Sequence, residues 1–483
     1  MIITGQTGHQ APQLKVLSEN QIREIFDSTL ECLQRIGVLV DLAEARDLLG
    51  SAGARVDDKR VYLPAHIVQN AISVVPRRFT IWGRNAGREI HIAPDRVHFG
   101  PGPSCSYFYD YEYRVRRKAH RGDAGQVAKV CDALDEIDYV MSLSFFDDVN
   151  PTLSPVYEFA EMITNTDKPL ISWGTNLETL EAIHQIAAAA VGGTEILKRK
   201  PIYSIFATYD SPLHLTKQAL SNMLWAAEHH VPVACIGGPT VGIESPVTGA
   251  SALVLYLAAA LSALTIVQLK RPGTPMIIGG IPSVMDLRTA RPSYGSPEML
   301  LHTSAATELT RFLGVPFMGT AGASESKVMD SQAAIEASLQ ILTSSLSGAT
   351  LVHDIGFLDC ADIGSLEYLV LVDEIIAMVK RFMRGLAVNQ DTIMLDLIES
   401  VGPGGNFLEE PRSASKCRQE IWVPKLLDRD TYVFWDAKGR KNMERRVRER
   451  LEHILEHHQT ASSPPEFHAK IEYILSNLER KYS

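Results

Sequence analysis

His353 and Asp354 carry the plainest acid–base chemistry in this chain of 483 residues. A histidine titrates near neutral pH, so beside a carboxylate it could move a proton or anchor an anionic group. Five aromatic residues, Phe145, Phe146, Trp173, Tyr209 and Phe357, stand in comparable places, at the ends of short apolar runs. Aromatic faces attract desolvated cations, and quaternary ammonium groups are bound in cages of them. A third set is glycine. Gly100, Gly102, Gly237, Gly238, Gly280 and Gly322 lie at the ends of the same runs, where a missing Cβ lets a flat, bulky ligand approach the backbone. Each set also has a plainer reading: a structural histidine, packed core aromatics, tight turns.

Several other chemistries lack their residues. No lysine ends a run, which weakens a Schiff-base aldolase, and Lys327 is the nearest candidate. Cys32, Cys105, Cys131, Cys235, Cys360 and Cys417 include no two within four residues, so zinc spacing is missing and no metal is expected. There is no GxSxG, no P-loop and no GxGxxG after a strand.

The runs themselves must position these residues. Eight can be read, at 97–100, 139–145, 169–174, 201–208, 232–238, 275–280, 315–319 and 349–354. They are short, rich in Val, Ile, Phe or Met, and show little polar alternation, as strands buried on both faces do. Helical stretches separate them, so neighbours should be parallel. Eight such units predict an α/β fold, a (β/α)₈ TIM barrel over 97–385 with its site at the C-terminal strand ends.

The rest is extension. Residues 1–96 read as a helical preface: Ser18 and Gln21 form a capping box ahead of the stripe Ile22, Ile25, Phe26, Leu30, Leu33 and Ile36. Further helices follow at 42–49 and 65–74, and a small hairpin spans 79–81 and 89–92. The run 107–113 (YFYDYEY) predicts a second hairpin after the first strand. Residues 386–483 read as a mostly helical extension, with Val447, Leu451, Ile454 and Leu455 as the buried stripe of a charged helix. A net charge of −10 argues against nucleic acid as partner. The polar start, 1–13, has no apolar core, which argues against a signal peptide; with reduced cysteines it suggests a cytoplasmic chain. The uncharged stretch from Ser245 to Leu269 could span a bilayer by length. Polar interruptions and its place between barrel strands point instead to a buried helix, and its apolar surface suggests a homo-oligomer.

Taken together, the stretches 99–103 (FGPGP), 245–248 (SPVT), 268–275 (QLKRPGTP), 286–298 (DLRTARPSYGSPE), 322–332 (GASESKVMDSQ), 401–408 (VGPGGNFL) and 422–429 (WVPKLLDR) are specific. In them the chain resembles the trimethylamine–corrinoid methyltransferase family, on the branch without pyrrolysine whose members demethylate quaternary amines such as glycine betaine. The resemblance covers about residues 15 to 435. It implies a (β/α)₈ barrel that moves a methyl group from a betaine-type amine to cob(I)alamin carried by a separate corrinoid protein, with no tightly bound cofactor. It implies that Phe145, Phe146, Trp173, Tyr209 and Phe357 hold the trimethylammonium head. His353 and Arg288 would bind a carboxylate, and the glycine-lined mouth would admit the corrin ring. Relatives that act on trimethylamine carry pyrrolysine in the region 319–325; here only standard residues stand there, which points away from trimethylamine. Two rival readings use the same fold: a lyase or aldolase working through His353 and Asp354, and a non-catalytic betaine-binding partner.

Overall fold

Seven of the eight apolar runs form one curled parallel sheet. In order around it stand Arg96–Pro101, Leu351–Ile355, Phe317–Thr320, Met276–Gly280, Val233–Gly237, Tyr203–Thr208 and Leu170–Ser172. The structure is a computed structural model that describes residues 2–3, 12–103, 105–460 and 463–482; the polar stretch 4–11, part of the expected leaderless start, lies outside them.

The expected second strand, 139–145, is reduced to a bridge. Asp138 N–H donates to Phe99 O (2.7 Å), Val140 N–H to Pro169 O (2.9 Å) and Ile171 N–H to Val140 O (3.0 Å), and these bonds close the ring. The strand ends there because Leu143 adopts a left-handed backbone (φ 68°), which an extended chain cannot continue through. Beyond it Ser144 pairs with Cys105 and Phe146 with Ala119. The segment thus joins a four-stranded sheet at the mouth, built from Tyr107–Asp110, Val115–Lys118, Phe357–Leu358 and Ile363–Gly364.

The floor is closed by the hairpin Phe79–Ile81 and Ile90–Ile92. Its Ile81, Ile90 and Ile92 pack into the barrel against Met141, Ile171, Ile277, Met318 and Leu351. Beside it, buried Lys168 donates to the carbonyls of Cys131, Leu134 and Ile137 at 2.5–2.7 Å. The lysine thereby satisfies carbonyls at and beyond the end of the helix Arg121–Ala133.

The capping box of Ser18 and Gln21 opens the helix Glu19–Arg35. The preface also holds a small sheet that short strands kept hidden in the sequence: Val38–Val40, Arg55–Asp57 and Arg60–Tyr62, joined by His214–Leu215. The apolar helix Gly249–Lys270 is long and apolar enough to cross a membrane. Fifteen of its residues are buried, and the preface helices Glu19–Arg35, Ala43–Ser51 and Ala65–Val74 pack over it. The surface on which self-association was expected is therefore covered by this chain itself. In the C-terminal extension Met443–His457 buries Val447, Leu451 and Ile454, and Pro465–Tyr482 packs on the helices Ser154–Asn165 and Leu177–Val191.

Candidate functional site

A cavity of about 1070 Å³ opens at the C-terminal strand ends. His353 and Asp354 reach it from the eighth strand, Tyr209 and Phe206 from the fourth, and Trp173 from the loop after the third. Phe145 and Phe357 complete the inner ring of aromatics, and Tyr294 enters from the segment after the hairpin Val284–Asp286 and Arg291–Ser293.

His353 and Asp354 point the same way because the backbone bends between them. Asp354 has φ 75°, a left-handed conformation that aspartate tolerates better than most residues. Its Oδ1 lies 2.5 Å from His353 Nδ1, and its Oδ2 accepts from Thr320 Oγ1 at 3.0 Å. His353 Nε2 has only a 3.3 Å contact with Thr320 Oγ1, and the Phe206 ring stands edge-on to the imidazole at 6.1 Å. The pair is buried, with His353 1% and Asp354 3% exposed.

Trp173 and Phe145 meet edge to face at 5.3 Å, with ring planes 75° apart. Trp173 Nε1 donates to Glu158 Oε2 at 2.9 Å. Two hydroxyls also donate to this carboxyl, Ser142 Oγ at 2.7 Å and Ser154 Oγ at 2.8 Å. Burial pushes the Glu158 carboxyl up to about 7, against the downward pull of those three hydrogen bonds. Burial, with the Asp354 carboxylate, also holds the Tyr294 phenol and the Cys105 thiol well above their ordinary values. Cys235 is pushed up to about 12 by burial alone, so neither thiol is a nucleophile at neutral pH. Among the described residues no cluster of three His, Cys, Asp or Glu is placed to hold a metal ion.

Of the aromatics expected to act together, Phe145, Trp173, Tyr209 and Phe357 line the cavity. Phe146 does not: as its backbone bridges to Ala119, its buried ring joins the surrounding core. Arg288 is also outside the lining. Its side chain is 89% exposed and is paired with Asp286 at 2.9 Å, because the two residues share one tight exposed turn.

The glycines need a correction. Gly100, Gly102, Gly237 and Gly280 each have an aromatic ring where a Cβ would stand: Tyr139, Phe357, Tyr209 and Tyr256, within 2.3–2.6 Å of that point. Ring packing, not an open face for a corrin, explains their missing side chains. Gly238 (φ 155°) and Gly322 (φ 81°) have backbones that side chains rarely adopt. Gly237 and Gly238 still line the cavity, while Gly100, Gly102, Gly280 and Gly322 do not.

Glu158, Phe206 and Tyr294 went unread in the sequence. Glu158 sits in a helix whose residues from Ser154 to Ala160 are all buried, and a carboxylate within such an otherwise uncharged stretch was the available signal. Phe206 lies within its strand, not at its end. Tyr294 lies far along the loop after the sixth strand.

The trimethylamine methyltransferase (MTTB) family model matches residues 4–480. The chain is 29% identical to the glycine betaine methyltransferase of Desulfitobacterium hafniense (strain Y51), over 97% of this chain and 98% of the relative. It is 31% identical to the trimethylamine methyltransferase MttB of Methanosarcina thermophila, over 95% and 96%. Among solved structures, the monomethylamine methyltransferase MtmB of Methanosarcina barkeri superimposes with a TM-score of 0.52 at 12% identity, over 93% of this chain and 90% of that one, a likeness of fold. A barrel whose mouth gathers rings around a cavity and whose sequence matches from end to end in this way is a methyltransferase, a member of the trimethylamine methyltransferase family.

Proposed function

We propose that this enzyme removes a methyl group from a quaternary amine and passes it to cob(I)alamin on a separate corrinoid protein. The observation that carries the reading is the cavity wall. Six aromatic residues face the space together with Asp210, Glu244 and Asp354, and no lysine or arginine is among the described residues that line it. Rings and excess carboxylates together suit a cation. Membership of a methyltransferase family sets aside the lyase reading of His353 and Asp354.

The chemistry asks little of acids or bases. In a quaternary amine the C–N bond breaks with its electron pair going to nitrogen, and a neutral tertiary amine leaves without a proton. The methyl group forms its new bond with an electron pair of the acceptor, which the corrinoid partner supplies. The chain's own task is to hold the head rigidly and exclude water. Phe145, Trp173, Tyr209 and Phe357, with Phe206 and Tyr294, would grip it. His353, its Nδ1 held by Asp354, would meet the polar arm of the substrate through Nε2. Trimethylamine is a poorer candidate, since positions 319–325 (GTAGASE) hold only standard residues. Six unpaired cysteines suit work in the cytoplasm.

Calorimetric titration with glycine betaine, proline betaine, carnitine, choline and trimethylamine tests the reading. At least one quaternary amine should bind, trimethylamine should not, and the ligand that binds should methylate cob(I)alamin. Binding of trimethylamine alone would overturn it.

A further inference from the structure

The methyl transfer outlined above makes no use of Glu158, although it sits directly behind a ring of the site. Its side chain is 1% exposed. The three groups that hydrogen-bond its carboxyl are neutral donors. The 139–146 stretch brings Ser142, its own helix brings Ser154, and the loop after the third strand brings the Trp173 indole N–H. No charged side chain acts on it from these elements. The indole N–H can only donate, and both hydroxyls can turn their hydrogens to the carboxyl or accept from it, so these surroundings accommodate either protonation state. A buried carboxylate is usually paired with a cation. Here the indole that donates to it also lines the cavity, where a cation would sit.

We infer that Glu158 is a positioning residue that sets the site's preference for a cationic over a neutral substrate head, acting through Trp173. The inference rests on the quaternary-amine reading above. Glu158 fixes the indole plane by accepting its N–H. Its charge also polarises that bond and makes the ring face more negative toward the cavity. Because burial brings the carboxyl to about 7, the preference should strengthen as pH rises through neutrality, as Glu158 ionises.

The test compares cations with isosteres in which carbon replaces the charged nitrogen. Choline is titrated against 3,3-dimethylbutan-1-ol, and glycine betaine against 3,3-dimethylbutanoate, at pH 6 and pH 8. In the wild-type enzyme the ratio of affinities should favour the cation, and by more at pH 8. In Glu158→Gln the ratio should fall by about tenfold at pH 8, the scale of one desolvated cation–π contact, and should no longer change with pH. Trp173→Phe, which keeps a ring but has no N–H to hold the carboxylate, should also lose the pH response. His214, His353, Asp210, Glu244 and Asp354 remain in both variants, so a difference from wild type reports Glu158. A cation preference with an unchanged ratio and pH profile in both variants overturns the inference and leaves the quaternary-amine reading standing. No preference for either cation in the wild-type enzyme overturns both.

Discussion

The two ends of the barrel are built on opposite terms. At the floor an apolar hairpin fills the interior, the Lys168 amine reaches three carbonyls, and Asp167 is held by Arg84 and Asn85. At the mouth, Leu143, Asp354, Asp359, Cys360 and Ala361 all adopt left-handed backbones. Asn222 Oδ1, on the cavity wall, is buried without a hydrogen-bond partner among the described residues. Strain and unmet polarity cost about 1–3 kcal/mol apiece. Unmet polarity is not confined to the mouth, since His184 Nε2 and Thr303 Oγ1 are also buried without a hydrogen-bond partner among the described residues, so the contrast rests on the cluster of left-handed backbones.

The contrast breaks most sharply if a floor substitution changes chemistry. Lys168→Met should destabilise the enzyme by about 3 kcal/mol or more, since three buried carbonyls lose their donor. Urea unfolding should register that loss while kcat per folded molecule stays at the wild-type value. A fall in kcat in the folded variant would erase the division between the two ends.

At the mouth, charge should weigh against stability. The Glu158 carboxyl is raised in the fold from 4.5 to about 7, so its neutral form is the one the fold favours. Stability is full below the unfolded value and is lost as pH climbs from about 4.5 to about 7, by roughly 3 kcal/mol in all. Urea midpoints measured from pH 5 to pH 8 should show that decline, and Glu158→Gln should flatten it. Equal slopes in the two proteins would mean that this end of the barrel stores no such cost.

Trp173→Ala should lower kcat/KM by roughly a hundredfold with little change in melting temperature, because the half-buried ring serves the ligand more than the core. His353→Ala should cost at least about tenfold, read in the same assay. A smaller loss would remove His353 from the polar arm of the substrate. Smallest of all, Arg288→Ala should leave kcat/KM within about twofold, as surface substitutions usually do. A large loss there would show that the loop carrying it closes over the cavity during turnover.

The barrel was legible because strands buried on both faces must be apolar throughout, and seven of the eight runs became strands of one sheet. The second run escaped, since nothing in its composition announces the left-handed Leu143. The preface sheet escaped because three-residue strands leave no period to read. At the site, strand ends pointed to Trp173, Tyr209, His353 and Phe357, which do gather around one cavity. Glycine was misread for a physical reason. A missing Cβ signals a close approach but not what approaches, and at Gly100, Gly102, Gly237 and Gly280 it is a ring of the chain itself. Glu158 could not be placed, because it reaches Trp173 only once the helix has folded back against the strand.

The cover that the preface lays over Gly249–Lys270 has a consequence for the order of synthesis. The covering helices leave the ribosome first, and the helix they cover, which begins at Gly249, follows the ends of these helices at Arg35, Ser51 and Val74 by roughly two hundred residues. At elongation rates of ~5–20 residues per second that is a wait on the order of ten to forty seconds. Through that interval Ile25, Leu33, Val68 and Ala71, buried in the finished fold, lack the helix they will cover. The newborn chain must then be kept from sticking to its neighbours on the same messenger, so its yield in a cell should depend on how quickly translation reaches the fifth barrel helix.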